Sequence, residues 1–80
     1  MNKETKSLCE AEIGERCIIK TIASLGAKRR RLMDLGFCPG ALVECVGKSP
    51  LGDPAAYSIR AAIIALRDID AKDILIERVK

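Results

Sequence analysis

Residues 29–54 constrain the fold of this chain more than any other segment. The segment begins with the basic run RRRLMDLGF, passes through Cys-Pro-Gly and a short apolar stretch, and ends in the loop sequence SPLGDP. Its start predicts a helix that stops at Gly36, because glycine adopts a positive φ at little cost. Proline at position 39 followed by glycine at position 40 predicts a type II turn. The two prolines of the loop exclude it from the interior of a sheet.

Short runs rich in β-favourable residues surround this segment and predict a mainly β fold. We predict strands at 16–22, 42–47, 55–60, 62–67 and 74–79. The one convincing helix is predicted at 26–35, with Ser24 as its N-cap and Leu25, Leu32 and Leu35 on one side. A short helical turn is predicted at 68–73. Five strands, one helix between the first two and a turn before the last indicate a small closed or half-open barrel.

Eighty residues are enough for one domain, and we expect a flexible N-terminus at 1–7 followed by a barrel domain at 8–80. The apolar fraction of 49% is that of a folded protein, and aliphatic residues supply it, because aromatic residues make up 2%. The two aromatic residues are Phe37 and Tyr57.

The residue types present argue against an enzyme. The chain has no histidine, its carboxylates do not lie in apolar runs, and no serine has a base nearby in the sequence. The four cysteines, at positions 9, 17, 38 and 45, do not have the short paired spacing of a structural zinc site. Cys17 and Cys45 alternate in phase with apolar strand residues and are interpreted as small core residues. We therefore expect no catalytic residue, no metal ligand and no cofactor.

The first residues lack the apolar core of a signal peptide, and the longest apolar run, 61–66, is too short to cross a bilayer. These features predict a cytosolic protein with reduced thiols and no insertion into the membrane.

Two segments are candidates for a binding surface. The net charge is +3, and residues 16–31 contain six basic residues and no acidic one. On a helix the run of Lys28, Arg29, Arg30 and Arg31 must point in several directions, so it is either a solvated face or a docking face for acidic protein, lipid headgroups or RNA. The loop around Leu51 is either a stiff connector or a rigidly presented contact. Ile63 and Leu75 fall out of phase with their inward neighbours and suggest an exposed apolar patch.

These motifs together resemble the FeoA family, and the resemblance extends from Leu8 to Ile76. Its most specific elements are RRLMDLGF-x-PG and PLGDP. The resemblance implies an SH3-like barrel that serves as a cytosolic accessory to a bacterial FeoB-type ferrous-iron transporter, recruited to the inner face of the membrane. The sequence departs from the family pattern at Ala61, where glycine is usual, and at Ser49, where alanine is usual.

We therefore predict a regulatory protein of ferrous iron uptake that binds the cytoplasmic part of the transporter, which carries a GTPase domain, and that is a monomer or weak homo-oligomer without a small-molecule substrate. The predicted contact residues are Arg29, Arg30, Arg31, Pro50, Leu51, Gly52, Asp53, Pro54, Arg60 and Arg67. Two alternatives are a basic β-barrel that binds RNA or single-stranded DNA, which the scarcity of aromatic rings disfavours, and a thiol metal sensor. The same scarcity argues against binding of proline-rich peptides.

Overall fold

The computed structural model describes residues 5–79, and its elements confirm the mainly β architecture. In chain order the elements are β1 (Thr5–Ser7), a 3₁₀ turn (Leu8–Glu10), β2 (Arg16–Ile22), α1 (Gly26–Asp34), β3 (Leu42–Lys48), β4 (Ala55–Ile59), β5 (Ala62–Leu66), α2 (Asp68–Ala71) and β6 (Ile74–Arg78). The five predicted strands, the helix after the first of them and the helical turn before the last are all present.

The strands form one antiparallel sheet in the order β1-β6-β2-β3-β4-β5. The last strand of the chain therefore returns to the first half of the sheet, where Ile76 lies opposite Ile19 and Ile74 opposite Ile22. The register shifts once in the β2–β6 pair and once in the β3–β4 pair. Such irregularities increase twist and bend a strand, which allows short strands to curl around one core.

Strand β1 is an element that the sequence analysis does not predict, so the described part of the chain forms six strands rather than five. Within the terminus that is expected to be flexible, Thr5 lies opposite Glu77 and Ser7 opposite Leu75 of β6. The hydroxyl of Ser7 also donates a hydrogen bond of 2.8 Å to the carbonyl of Lys72. Residues 1–4 and residue 80 lie outside the described part of the chain. The three-residue strand forms because β6 offers an open edge, which a local sequence pattern does not reveal.

Helix α1 ends as predicted but begins differently. Gly36 has φ +111°, its N–H bonds to the carbonyl of Met33, and the N–H of Phe37 bonds to the carbonyl of Leu32, which together form a Schellman motif. At the other end the prediction of Ser24 as N-cap is wrong, because Leu25 occupies that position and no side chain of residues 5–79 caps the helix. Of the three leucines expected on one side, only Leu32 is fully buried.

The core is built from the inward residues of the strands and the buried face of α1. Both aromatic rings, Phe37 and Tyr57, are fully buried, and so are Cys17 and Cys45, as their alternation predicts. The predicted turn after α1 is also present, since Ala41 donates to the carbonyl of Cys38 and Gly40 has a positive φ. The core therefore leaves the basic side of α1 and the proline loop outside.

Candidate functional site

The basic run of α1 divides between two environments. Lys28 donates hydrogen bonds of 2.8 Å to Oδ2 of Asp73 and 2.7 Å to the carbonyl of Ile69, and Arg31 donates one of 3.2 Å to Oδ1 of Asp70. These partners all belong to α2 or to the turn that follows it. On the other side, Arg29 contacts the sulfur of Met33 at 3.7 Å, and Arg30 is exposed.

Asp70 is the centre of a network that we name the α1–α2 ion cluster, formed by Lys28, Arg31, Arg67, Asp70 and Asp73. Asp70 is 6% exposed, and nitrogen atoms of Lys28, Arg31 and Arg67 lie 3.7, 3.2 and 3.9 Å from its carboxylate. A buried carboxylate is stable only when cations and hydrogen bonds compensate its lost hydration. The cluster thus fixes α1 against α2.

The sequence analysis did not identify Lys28, Asp70 or Asp73 as members of such a cluster. The acidic residues lie about forty positions from α1 in the chain, and an acidic helical turn is ordinarily solvated. Two of the predicted contact residues, Arg31 and Arg67, belong to the cluster, and the guanidinium groups of both lie beside the carboxylate of Asp70.

The proline loop folds on itself and is fastened to α2. Gly52, with φ +86°, donates to the carbonyl of Ser49, and Ser49 donates to the carbonyl of Pro54. Asp53, which precedes a cis peptide bond to Pro54, accepts a 3.0 Å hydrogen bond from the N–H of Asp68 at the start of α2. Leu51 at the tip is 93% exposed. The side chain of Leu51 is therefore available to a partner, whereas the carboxylate of Asp53 bonds within the protein.

Arg60 occupies the two-residue turn between β4 and β5. Arg60 has φ +51° and Ala61 φ +66°, as in the type I′ turns that close hairpins. The stem of Arg60 lies so close to Gly36 that a Cβ there would be 3.3 Å from its Cδ. Arg60 also lines a depression of about 420 Å³, together with Arg16, Leu42, Glu44 and Ser58.

The predicted contact residues therefore do not all form one surface. Arg31, Arg67 and the proline loop are linked through α2, which contacts all three. Arg60 lies at the opposite end of β4, and five strand residues span roughly 17 Å. Arg31, Arg67 and the loop are therefore the coherent part of the predicted site, and Arg29 and Arg30 lie apart from it on the other side of α1.

Two of the four thiols, those of Cys9 and Cys17, lie where burial disfavours the charged thiolate form. Burial, together with the nearby carboxylates of Asp68 and Glu10, raises the pKa of the Cys9 thiol, and burial with Glu15 raises the pKa of Cys17. Burial likewise raises the pKa of the Tyr57 hydroxyl. Thiols with raised pKa values stay protonated at neutral pH and react slowly.

Within residues 5–79, no three or more histidine, cysteine or carboxylate side chains come close enough to hold a metal ion. In the same part of the chain no helix has the length and apolarity needed to cross a bilayer. Because Phe37 and Tyr57 are both fully buried, neither ring can stack on a nucleic-acid base.

Comparison with known proteins agrees with this architecture. Residues 6–78 match the family model described as the FeoA domain. The solution structure of an FeoA-like protein from Clostridium acetobutylicum has 36% identity and a TM-score of 0.89, and the likeness covers 100% of this chain and 92% of that one.

A crystal structure of FeoA from Stenotrophomonas maltophilia complexed with zinc has 30% identity and a TM-score of 0.78, over 88% of this chain and 87% of that one. That protein is described as a prokaryotic SH3 domain protein, and the likeness confirms the predicted SH3-like fold.

A curated protein of Porphyromonas gingivalis is 33% identical over 70 residues, which are 88% of this chain. It is a fusion of Fe(2+) transport protein A with the Fe(2+) transporter FeoB, and this chain spans 8% of its length.

Proposed function

Because this chain belongs to the FeoA domain family, whose members are non-enzymatic accessory proteins associated with ferrous iron transport, we propose that it binds and regulates a FeoB-type transporter. It does so on the cytoplasmic side of the membrane and through its protein surface. Ferrous iron is the cargo of the transporter in this proposal and is not a ligand of this chain.

The observation that carries the proposal is the fusion in Porphyromonas gingivalis, where a segment similar to this chain is covalently joined to FeoB. A covalent link keeps two modules at a high effective concentration whatever their intrinsic affinity. A separate chain of the same fold must reach the same arrangement by binding. The fusion therefore supports a direct contact, and the surface of this chain must provide its affinity.

Two separate parts of the predicted contact set suit this role best, namely the side of α1 that faces away from α2 and the tip of the proline loop. Arg29 and Arg30 form no ion pair within residues 5–79, and Leu51 is almost fully exposed. Charged groups at the rim of an interface accelerate encounter, and an apolar side chain that becomes buried adds affinity. An acidic patch with an apolar pocket on the transporter is the complementary chemistry.

Co-purification of the tagged chain with a FeoB-type transporter from detergent-solubilised membranes tests the proposal. The test variant is Arg29→Gln/Arg30→Gln, and the matched control is Lys20→Gln/Lys72→Gln, which removes the same charge from exposed positions outside the candidate surface. We expect binding by the wild type and the control, and binding weaker by about tenfold in the test variant, which corresponds to about 1.4 kcal/mol.

Absence of binding by the wild type at low salt would overturn the proposed function. Equal binding by the two double variants would retain the function but exclude the α1 surface, and Leu51→Ala then tests the loop tip alone. The contact should also weaken as salt is added, because screening acts on exposed charges.

A further inference from the structure

The depression beside Arg60 is a built feature of the surface that the proposed function does not use. Its volume of about 420 Å³ lies in the range of sites for small ligands. Arg16, Glu44, Ser58 and Arg60 supply its polar groups, and Leu42, which is 48% exposed, supplies its largest apolar side chain. A concave site with a few convergent polar groups is the usual form of a binding site.

The charged groups of the depression are not paired with one another. Arg16 of β2 lies opposite Glu44 of β3, and Glu44 lies opposite Ser58 of β4, so these three side chains form one row on the same face of the sheet. Opposite charges in this position ordinarily interact across the strands. Within residues 5–79, however, Arg16, Glu44 and Arg60 form no ion pair. Two guanidinium groups and one carboxylate therefore line the depression with their bonding capacity unused.

Arg60 is held in its place at the depression by the backbone and by Gly36. Arg60 and Ala61 both have a positive φ, which costs energy for a residue with a Cβ, and backbone strain of this kind is concentrated at ligand-binding and other functional sites. The stem of Arg60 passes so close to Gly36 that a Cβ there would lie 3.3 Å from Cδ. A side chain that is already held in position loses less freedom when a ligand binds, so the guanidinium is pre-organised.

The charges of the depression select the class of ligand. Guanidinium groups bind carboxylates and phosphates, whereas the carboxylate of Glu44 only accepts hydrogen bonds and requires a donor on the ligand. The two arginines and Glu44 leave one positive charge to be neutralised. A phosphate group, with about 1.5–2 negative charges at neutral pH, would exceed this and would be repelled by Glu44. A free amino acid has no net charge. A single carboxylate with an amide N–H next to it satisfies both requirements, and it is the end of a peptide.

We propose that this depression binds the carboxyl-terminal residue of a peptide. Arg16 and Arg60 hold the terminal carboxylate, and Glu44 accepts a hydrogen bond from the last amide N–H of the peptide. Leu42 contacts an apolar side chain on the terminal residue, which favours an aliphatic residue there. The site goes beyond the proposed function and does not depend on it, because the residues proposed to bind the transporter do not line the depression.

Titration of the isotopically labelled chain with N-acetyl-leucine, followed by NMR, tests the site. This probe carries the carboxylate, the amide N–H and an aliphatic side chain, and we expect it to shift the amide signals of residues 41–44 and 58–61. The matched probes are N-acetyl-leucinamide without the carboxylate, 2-acetoxy-4-methylpentanoate with an ester oxygen in place of the N–H, leucine, and inorganic phosphate. N-acetyl-leucine should bind at least tenfold more tightly than each of them.

Variants of the chain test the role of each charged group, and the same spectra report whether each variant is folded. Arg16→Met and Arg60→Met should each weaken binding of N-acetyl-leucine by tenfold or more, and the Met side chain at position 60 keeps an apolar stem over Gly36. Lys48→Met is the matched control, because Lys48 is an exposed cation at the end of β3 outside the depression, and it should bind like the wild type. Glu44→Gln should bind phosphate more tightly than the wild type does, because the repelling charge is gone.

The proposal is overturned if N-acetyl-leucine leaves these amide signals unchanged up to its solubility limit, or if N-acetyl-leucinamide binds equally well. Equal binding of leucine would make the ligand a free amino acid, and tightest binding of phosphate would make it a phosphate, so either result overturns the assignment to a peptide end. Arg16→Met should co-purify with the transporter like the wild type, so a failure at the depression is distinct from a failure of the proposed function.

Discussion

The two sides of α1 carry similar cations in different surroundings. Lys28 and Arg31 bond to carboxylates of α2 and of the turn after it, whereas Arg29 and Arg30 form no ion pair within residues 5–79. Successive helical residues point about 100° apart, and α2 covers one direction only. The charges on one side stabilise the fold, and those on the other side remain available to a partner. A run of basic residues in a sequence is therefore not one functional unit.

The largest expected effect comes from the centre of the α1–α2 ion cluster. Asp70→Ala should lower the free energy of unfolding by about 2–3 kcal/mol, because three cations lose a buried carboxylate. The matched control is Asp34→Ala. Asp34 is an exposed carboxylate at the end of α1 that has no ion pair among residues 5–79, so its removal should change the free energy of unfolding by less than about 0.5 kcal/mol. Urea denaturation measures both, and equal effects would contradict the distinction between the two sides.

Glu15 extends the comparison to a carboxylate outside α1. The backbone N–H of Glu12 and the guanidinium of Arg78 lower the pKa of Glu15 from its usual 4.5 to about 2. The pKa of Glu15 is lower in the folded chain than in the unfolded chain. The stabilisation that the Glu15 carboxylate contributes is therefore fully present above pH 4.5 and is lost as the pH falls toward 2. Glu15→Gln should lower the free energy of unfolding by about 1.5 kcal/mol at neutral pH. The variant should also lose less stability than the wild type as the pH falls, because Gln does not titrate.

Urea midpoints recorded between pH 7 and pH 3 check this prediction. Glu12→Gln is the natural control, because Glu12 binds Glu15 through its backbone N–H and its own side chain is exposed. A variant at position 15 whose stability falls with acid as steeply as the wild type would show that other groups control the acid response.

Lys28 and Arg30 provide the most direct comparison between the two sides. Lys28→Met should lower stability by about 1 kcal/mol, because Nζ bonds both Asp73 and the carbonyl of Ile69. Arg30→Met should leave stability within about 0.5 kcal/mol of the wild type. Transporter binding should respond in the opposite order, with the larger loss for Arg30→Met. Thermal unfolding and co-purification of the same two variants decide whether this inverse relation holds.

The smallest expected effect concerns the turn that positions Arg60. Ala61 holds a positive φ of +66°, which costs about 1–2 kcal/mol for a residue with a Cβ, and glycine recovers part of that at an entropic cost. Ala61→Gly should raise stability by about 0.5 kcal/mol. Differential scanning calorimetry would register a slightly higher Tm, and a lower Tm would mean that the turn is not strained.

Local chemistry made much of the fold predictable. The strands follow from short β-branched runs between breakers, and the end of α1 follows from Gly36. The same reasoning failed where the partner of a residue is distant in the chain. Ser24 has the chemistry of a cap, yet its hydroxyl is buried and has no hydrogen-bond partner among the described residues, and Leu25 precedes the helix at 83% exposure. The direction in which the chain enters α1 decides both outcomes.

In the candidate site, too, local sequence predicted some features, and contacts between distant segments decided the others. The sequence located the basic run and the proline loop as unusual surface segments, and family membership connects the chain with ferrous iron transport. The sequence could not show that Arg31 and Asp53 bond within the protein while Arg30 and Leu51 remain available to a partner. Within each pair, the difference lies in the groups that the folded chain brings next to the side chain.

What the sequence determined by itself is the set of elements and their order, since turns and helix ends depend on the residues that form them. Only the tertiary structure decided which charges are engaged, because Asp70 of α2 meets Arg31 of α1, and Asp53 of the loop meets the backbone N–H of Asp68. The tertiary structure also decided which edge of the sheet stays open, because β6 pairs with both β1 and β2 and leaves β5 at the end. Contacts between distant segments depend on how the sheet curls, and no local pattern encodes that geometry.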